Sequence, residues 1–120
     1  MNIKIPTTHR QYFRQALEIM KSIPPLNSLR NKELDVLGQL LYFNHVYGDL
    51  EPAIRGKVIF DYDTKIDMME YIGMDEASFN NNLTSLRKNK ILKGRSIIST
   101  FGLNAASPDI TFKFLIGNAS

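Results

Sequence analysis

The sequence predicts a single α+β domain over residues 1–120, three to four helices followed by a C-terminal β-hairpin, and three observations carry that expectation. Residues 64–72 and 75–89 read as two short helices joined at Gly73. A longer stretch from Leu34 to Val46 is apolar on nearly every side, as a central helix must be. Near the end of the chain, ITFKFLI alternates Ile110, Phe112, Phe114 and Ile116 against Thr111, Lys113 and Leu115, which is the period of a strand.

In chain order, Asn2 to Ile5 has the alternation of a short strand with Ile3 and Ile5 on one face, ended by Pro6. Thr7 or Thr8 then caps a helix through about Ile23, with Phe13, Leu17 and Met20 on one side and Tyr12, Ala16, Ile19 and Ile23 beside them. A helix this apolar must pack on the domain or on a second copy of itself, so helix 8–23 is a possible dimerisation element. Pro24 and Pro25 stop it. Asn31 can cap the central helix, in which Gly38 costs about 1 kcal/mol relative to Ala; a close helix crossing there would explain its presence. Gly48 ends that helix. Pro52 at a helical first position opens a short helix or turn leading to the apolar run Val58, Ile59, Phe60, and Asp61 or Asp63 caps the helix that follows.

Asp75 and Glu76 place acidic side chains at the start of the next helix, where the macrodipole favours them, and Phe79, Leu83 and Leu86 form its buried face. The remaining positions, Asn80, Asn81, Asn82, Thr84, Ser85, Arg87 and Lys88, project outward. Three consecutive Asn are a poor choice for helicity alone, so something else selected them. After Lys90 the chain turns apolar, then runs through KGRSIIST and the small polar loop Gly102 to Asp109 to the final strand.

Composition bounds the function. The chain is 43% hydrophobic and 22% charged, in the ordinary globular range. Without cysteine it has no disulfide, thiolate zinc ligand or thiol nucleophile. The N-terminal residues lack the apolar stretch of a signal peptide and no run is long enough to span a membrane, so a cytoplasmic location and no membrane partner are expected. The net charge of +3 is unevenly spread: +4 over residues 1–30, −4 over 31–73 and +3 over 74–120. Such a balance permits nucleic-acid binding without the dense basic stripe that would demand it.

Helix, Gly turn, helix and strand pair, with LRNKELDVLGQLLYFN as the central helix and FNNNLTSLRKNKIL as the recognition helix, resemble a winged helix-turn-helix domain over residues 29–116. The same order is similar to small winged-helix proteins encoded by tailed bacteriophages, including the crAss-like phages, which would put the protein in the host cytoplasm or the virion. The resemblance implies a non-enzymatic protein that binds double-stranded DNA, as a transcriptional regulator or a phage genome-associated factor, with recognition helix 75–89 in the major groove. Asn80, Asn81, Thr84 and Ser85 would then approach base edges, Arg87, Lys88 and Lys90 would hold phosphates, and Lys93 and Arg95 would extend the contact to the flanking backbone. The alternative is a winged-helix scaffold used for protein–protein interaction or virion assembly without DNA, docking on other phage proteins.

One pattern argues against DNA. Asp63, Asp67 and Glu70 recur at i, i+4, i+7 on the preceding helix, where a line of carboxylates facing phosphate would be repelled. Other chemistries have less to stand on. DYDTKID begins like a calcium loop, but Lys65, Ile66 and Ile72 replace a ligand, the turn glycine and the closing Glu. His9 and His45 have no cysteine to complete a zinc site, and no nucleophile elbow, phosphate loop or dinucleotide fingerprint is present. No cofactor, metal or catalytic residue is expected.

Overall fold

The computed structural model describes residues 2–6, 9–94, 96–97 and 109–113, with side chains described for residues 10–94. Within them the protein is mainly helical: α1 (His9–Met20), α2 (Asn31–Val46), α3 (Pro52–Ile59), α4 (Tyr62–Ile72) and α5 (Glu76–Lys88), with a 3-10 turn at Leu26–Ser28. Strand pairing is confined to short pieces, β1 (Asn2–Pro6), β2 (Leu92–Lys93), β3 (Ser96–Ile97) and β4 (Asp109–Lys113).

This corrects the expected α+β winged helix-turn-helix fold. The described residues hold five α-helices rather than three or four, and no C-terminal β-hairpin wing is seen among them. The alternating segment that was to form the wing's last strand finds another partner: β4 runs antiparallel to β1, with Ile3 opposite Phe112 and Ile5 opposite Ile110. Among the described residues of KGRSIIST, Lys93 ends β2 and Ser96 and Ile97 form β3, which pairs antiparallel with β2. Alternation marks a segment as a strand but is silent on which other strand completes its ladder. The loop at 102–108 and residues 114–116 lie outside the described residues.

Helix α2 is the centre of the molecule. Leu34, Val36, Leu37, Gly38, Gln39, Leu40, Leu41 and Phe43 are all buried, and α1, α3, α4 and α5 pack around it. Its low amphipathicity follows from that position, since every side of it meets another helix. Helix α1 lies against it with Tyr12, Phe13, Ala16 and Leu17 buried, while Ile19 and Ile23 remain exposed. The two backbones approach closely at Gly38, where an added Cβ would stand 3.0 Å from Arg14 Cβ and 3.2 Å from Arg14 Cα.

A polar clamp joins α1, α2 and α4. The guanidinium of Arg10 lies 4.0 Å from the Tyr71 ring centre, donates to Gln39 Oε1 at 3.0 Å through Nε, and donates to Asp67 Oδ1 at 3.2 Å through Nη2. Gln39 is almost fully buried, and this bond satisfies its carbonyl. Arg14 makes the neighbouring link, donating to Asp35 Oδ1 at 2.6 Å and to Glu18 Oε1 at 3.0 Å.

Candidate nucleic-acid interface

Helix α5 is held by both of its ends and one face. At its start Asp75 accepts a hydrogen bond from the Ser78 backbone N–H at 2.7 Å, and Lys65 of α4 pairs with Glu76 at 3.2 Å. Phe79, Leu83 and Leu86 bury against the core, with Ile91 and Leu92 beyond the helix buried too. That packing turns Asn81, Thr84 and Lys88 outward, all exposed, as are Asn80 and Arg87 to one side.

The Asp75 cap carries a pH dependence. Its carboxyl is held below the usual carboxylate range, chiefly by the backbone N–H of Ser78, then by the Ser78 side chain, with a smaller attraction from Lys32. A depressed folded pKa means the cap contributes fully above the unfolded carboxyl's pKa and is lost as pH falls through the lower folded value. Asp75→Asn keeps a good capping residue and removes the titration. Thermal unfolding of this variant should therefore lose less Tm than wild type between neutral pH and about pH 3, the region below the ordinary aspartate pKa. An identical acid sensitivity in the two proteins would show that the cap does not titrate as argued.

Several polar side chains of α5 are occupied by the helix itself. Asn82 Nδ2 donates to Ser78 O at 2.8 Å, Thr84 Oγ1 to Asn80 O at 3.1 Å and Asn89 Nδ2 to Ser85 O at 2.9 Å. Asn82, expected to project outward, is half-buried. The back-bond gives Asn82, one of the three consecutive Asn, a local purpose, since short polar side chains compete for helix carbonyls. Arg87 also has a second duty: its Nε and Nη2 both donate to Gly94 O at 3.2 Å, fastening the β2–β3 turn to the helix.

On its other side α5 faces the start of α2 across an open cleft of about 420 Å³ lined by Arg30, Asn31, Lys32, Ser78, Asn81, Asn82 and Ser85. No carboxylate lines it. Glu33 is turned inward, buried, accepting the Arg30 backbone N–H at 2.8 Å and pairing with Arg30 Nε at 3.4 Å, while the Arg30 side chain as a whole stays 85% exposed. Ser28, in the 3-10 turn, donates its hydroxyl to Asn89 Oδ1 at 3.4 Å, a second link between this part of the chain and the end of α5. The arrangement offers amide groups, hydroxyls and two cations, Arg30 paired on one side with Glu33 and Lys32 near Asp75, to one ligand surface, a donor set suited to phosphate oxygens and to base or sugar edges.

The acidic line of α4 is turned elsewhere. Asp67 pairs with Arg10 of α1, whereas Lys65 pairs with Glu76 of α5. At about 100° per residue these two side chains leave α4 on opposite sides. Asp63 and Glu70, which share the Asp67 line, therefore point away from the side that meets the start of α5.

Of the nine site residues expected from sequence, Asn81 and Ser85 line the cleft, Asn80, Thr84, Arg87 and Lys88 lie on α5, and Lys90 and Lys93 are exposed beyond it. Arg95 lies outside the described residues. Sequence reasoning missed Arg30 and Lys32, because only the α2–α5 packing brings them beside Ser85. Compared with protein-family models, with curated proteins and with solved structures, the chain matches none. Among the described residues no helix is long and apolar enough to cross a membrane.

Proposed function

We propose that this is a non-enzymatic double-stranded-DNA-binding protein, of regulatory or genome-associated type, that lays the outward face of α5 in the major groove. The observation that carries the reading is the cleft lined by Arg30, Lys32, Asn81 and Ser85 with no carboxylate in its lining, beside which Thr84, Lys88 and Lys90 stand exposed on α5 and at its end. A helix of 13 residues is about 20 Å long, which suits a groove wide enough to admit one helix. The carboxylate line of α4, the main objection to phosphate binding, leaves that helix on the other side. Asn81 sits at the centre of the outward face, where amide groups read base edges, with Thr84 beside it able to accept through its hydroxyl oxygen or present its methyl, and the cations flank them at phosphate positions.

Binding of a labelled duplex tests this directly. With about four phosphates neutralised, the logarithm of the association constant should fall against log salt with a slope of about −3.6. The double variant Lys32→Ala, Lys88→Ala should halve that slope to about −1.8, weakening all sequences alike. Both residues are surface side chains outside the core, so far-UV circular dichroism should be unchanged. Failure of the wild-type protein to bind duplex at about 50 mM salt, where phosphate contacts are strongest, would rule the reading out.

A further inference from the structure

Two helices in this protein end in the same backbone motif. At the end of α4, Met74 N–H donates to Met69 O at 3.0 Å and Gly73 N–H to Glu70 O at 3.3 Å. At the end of α5, Ile91 N–H donates to Leu86 O at 3.0 Å and Lys90 N–H to Arg87 O at 3.1 Å. Both are the paired 6→1 and 5→2 closure that satisfies the last helix carbonyls. Its central residue must be left-handed, and it is: φ is +65° at Gly73 and +60° at Lys90. Glycine adopts that conformation at no steric cost, whereas an L side chain sets its Cβ against the following carbonyl. Lys90 is the only non-glycine residue with positive φ among the described residues.

Among the described residues nothing accounts for lysine there. The side chain is exposed, and no ion pair or hydrogen bond from its ammonium is present among the described residues. A basic residue near a helix C-terminus does favour the dipole, but Arg87 and Lys88 already supply two in the last turn. The motif's hydrophobic contact is made by its neighbours, Leu86 and Ile91, both buried. What the lysine adds is direction. A left-handed residue projects its side chain along a course unavailable to the helical residues before it, and Lys90 stands at the corner where α5 gives way to β2, between exposed Lys88 and exposed Lys93.

We propose that Lys90 is a dedicated DNA-phosphate contact, held in a strained left-handed backbone because that conformation aims its ammonium at the strand flanking the groove. This rests on the reading of α5 as a DNA-binding helix. The distinguishing signature is a trade: the residue costs stability and contributes affinity, so the two must move in opposite directions on substitution.

Lys90→Gly should raise Tm by roughly 2–4 °C, the relief of the left-handed strain less the greater freedom of glycine in the unfolded chain. The same variant should bind labelled duplex roughly tenfold more weakly at about 50 mM salt, with the salt slope smaller in magnitude by about 0.9. Lys90→Asn, uncharged but tolerant of left-handed backbone, should lose the same affinity; Lys90→Arg should retain it. A glycine variant that melts lower and binds with an unchanged slope would mean the lysine serves only the helix end, and the proposal would fall while DNA binding stood. Wild-type protein that binds no duplex would overturn both.

Discussion

Phe13→Asp is expected to abolish folding outright. Phe13 is 2% exposed, packed edge-on to Tyr12 with ring centres 5.0 Å apart and tilted against His45 at 5.9 Å. Removing the ring alone costs about 3–5 kcal/mol in a core, and an unpaired carboxylate in its place adds a desolvation penalty of several more. A domain of this size holds only about 5–15 kcal/mol in all. Far-UV circular dichroism should show an unfolded chain at room temperature, and Ile23→Asp, at a position 54% exposed, should leave the spectrum intact. The apolar side of α1 was expected to serve the domain or a second copy of the chain. Its burial against α2 assigns Phe13 to the domain, so a folded Phe13→Asp monomer would contradict the packing described.

Gly38→Ala should destabilise, although an isolated helix would gain about 1 kcal/mol from the exchange. The sign is decided by what the new methyl meets. Its nearest neighbours are Arg14 Cβ at 3.0 Å, Arg14 Cα at 3.2 Å and Arg14 N at 3.3 Å, none of which is the loose end of a side chain. Relief therefore requires moving α1 as a body, and with it Tyr12, Phe13, Ala16 and Leu17, all buried on that seam. Overpacking of this kind costs about 1–3 kcal/mol, which outweighs the propensity gain at most of its range. Urea unfolding should give a lower midpoint with an unchanged m-value. Gly38→Leu should be worse still, while a stabilised Gly38→Ala would mean that the crossing can open without loss.

Much of the helical framework was legible because its signals are local. The existence of α2, the cap at Asp75, the left-handed turn at Gly73 and the close crossing at Gly38 all depend on residues within a few positions of one another or on the size of one side chain, whereas the boundaries of α2 fall elsewhere than expected: Arg30 rather than Asn31 is its cap, and it ends at Val46 before Gly48. The strand partners were not legible. Pairing of residues 2–6 with 109–113 joins segments separated by most of the chain, and alternation at Ile110 and Phe112 is equally compatible with a neighbouring strand. The same division holds in the site. Helical period placed Asn81, Thr84 and Lys88 on an outer face correctly, yet it also placed Asn82 there, which bonds back to Ser78 instead. Arg87 read only as a phosphate ligand, and its Nε and Nη2 also fasten Gly94, a contact that helical period does not announce. Arg30 and Lys32 carried no signal of their own, because their importance lies in which helix stands opposite them.

The Arg10 clamp has a consequence for how the molecule opens. Its guanidinium ties a residue of the first helix to Asp67 and Tyr71, some 57 positions further on, with buried Gln39 between them. Opening of α1 takes the donor from the buried Gln39 carbonyl, and opening of α4 takes Tyr71 and Asp67 from the guanidinium, so the clamp couples the two helices in opening. Backbone amides in the middle of both helices should accordingly exchange with deuterium at one common rate, set by global unfolding, and Arg10→Ala should let α1 exchange faster than α4.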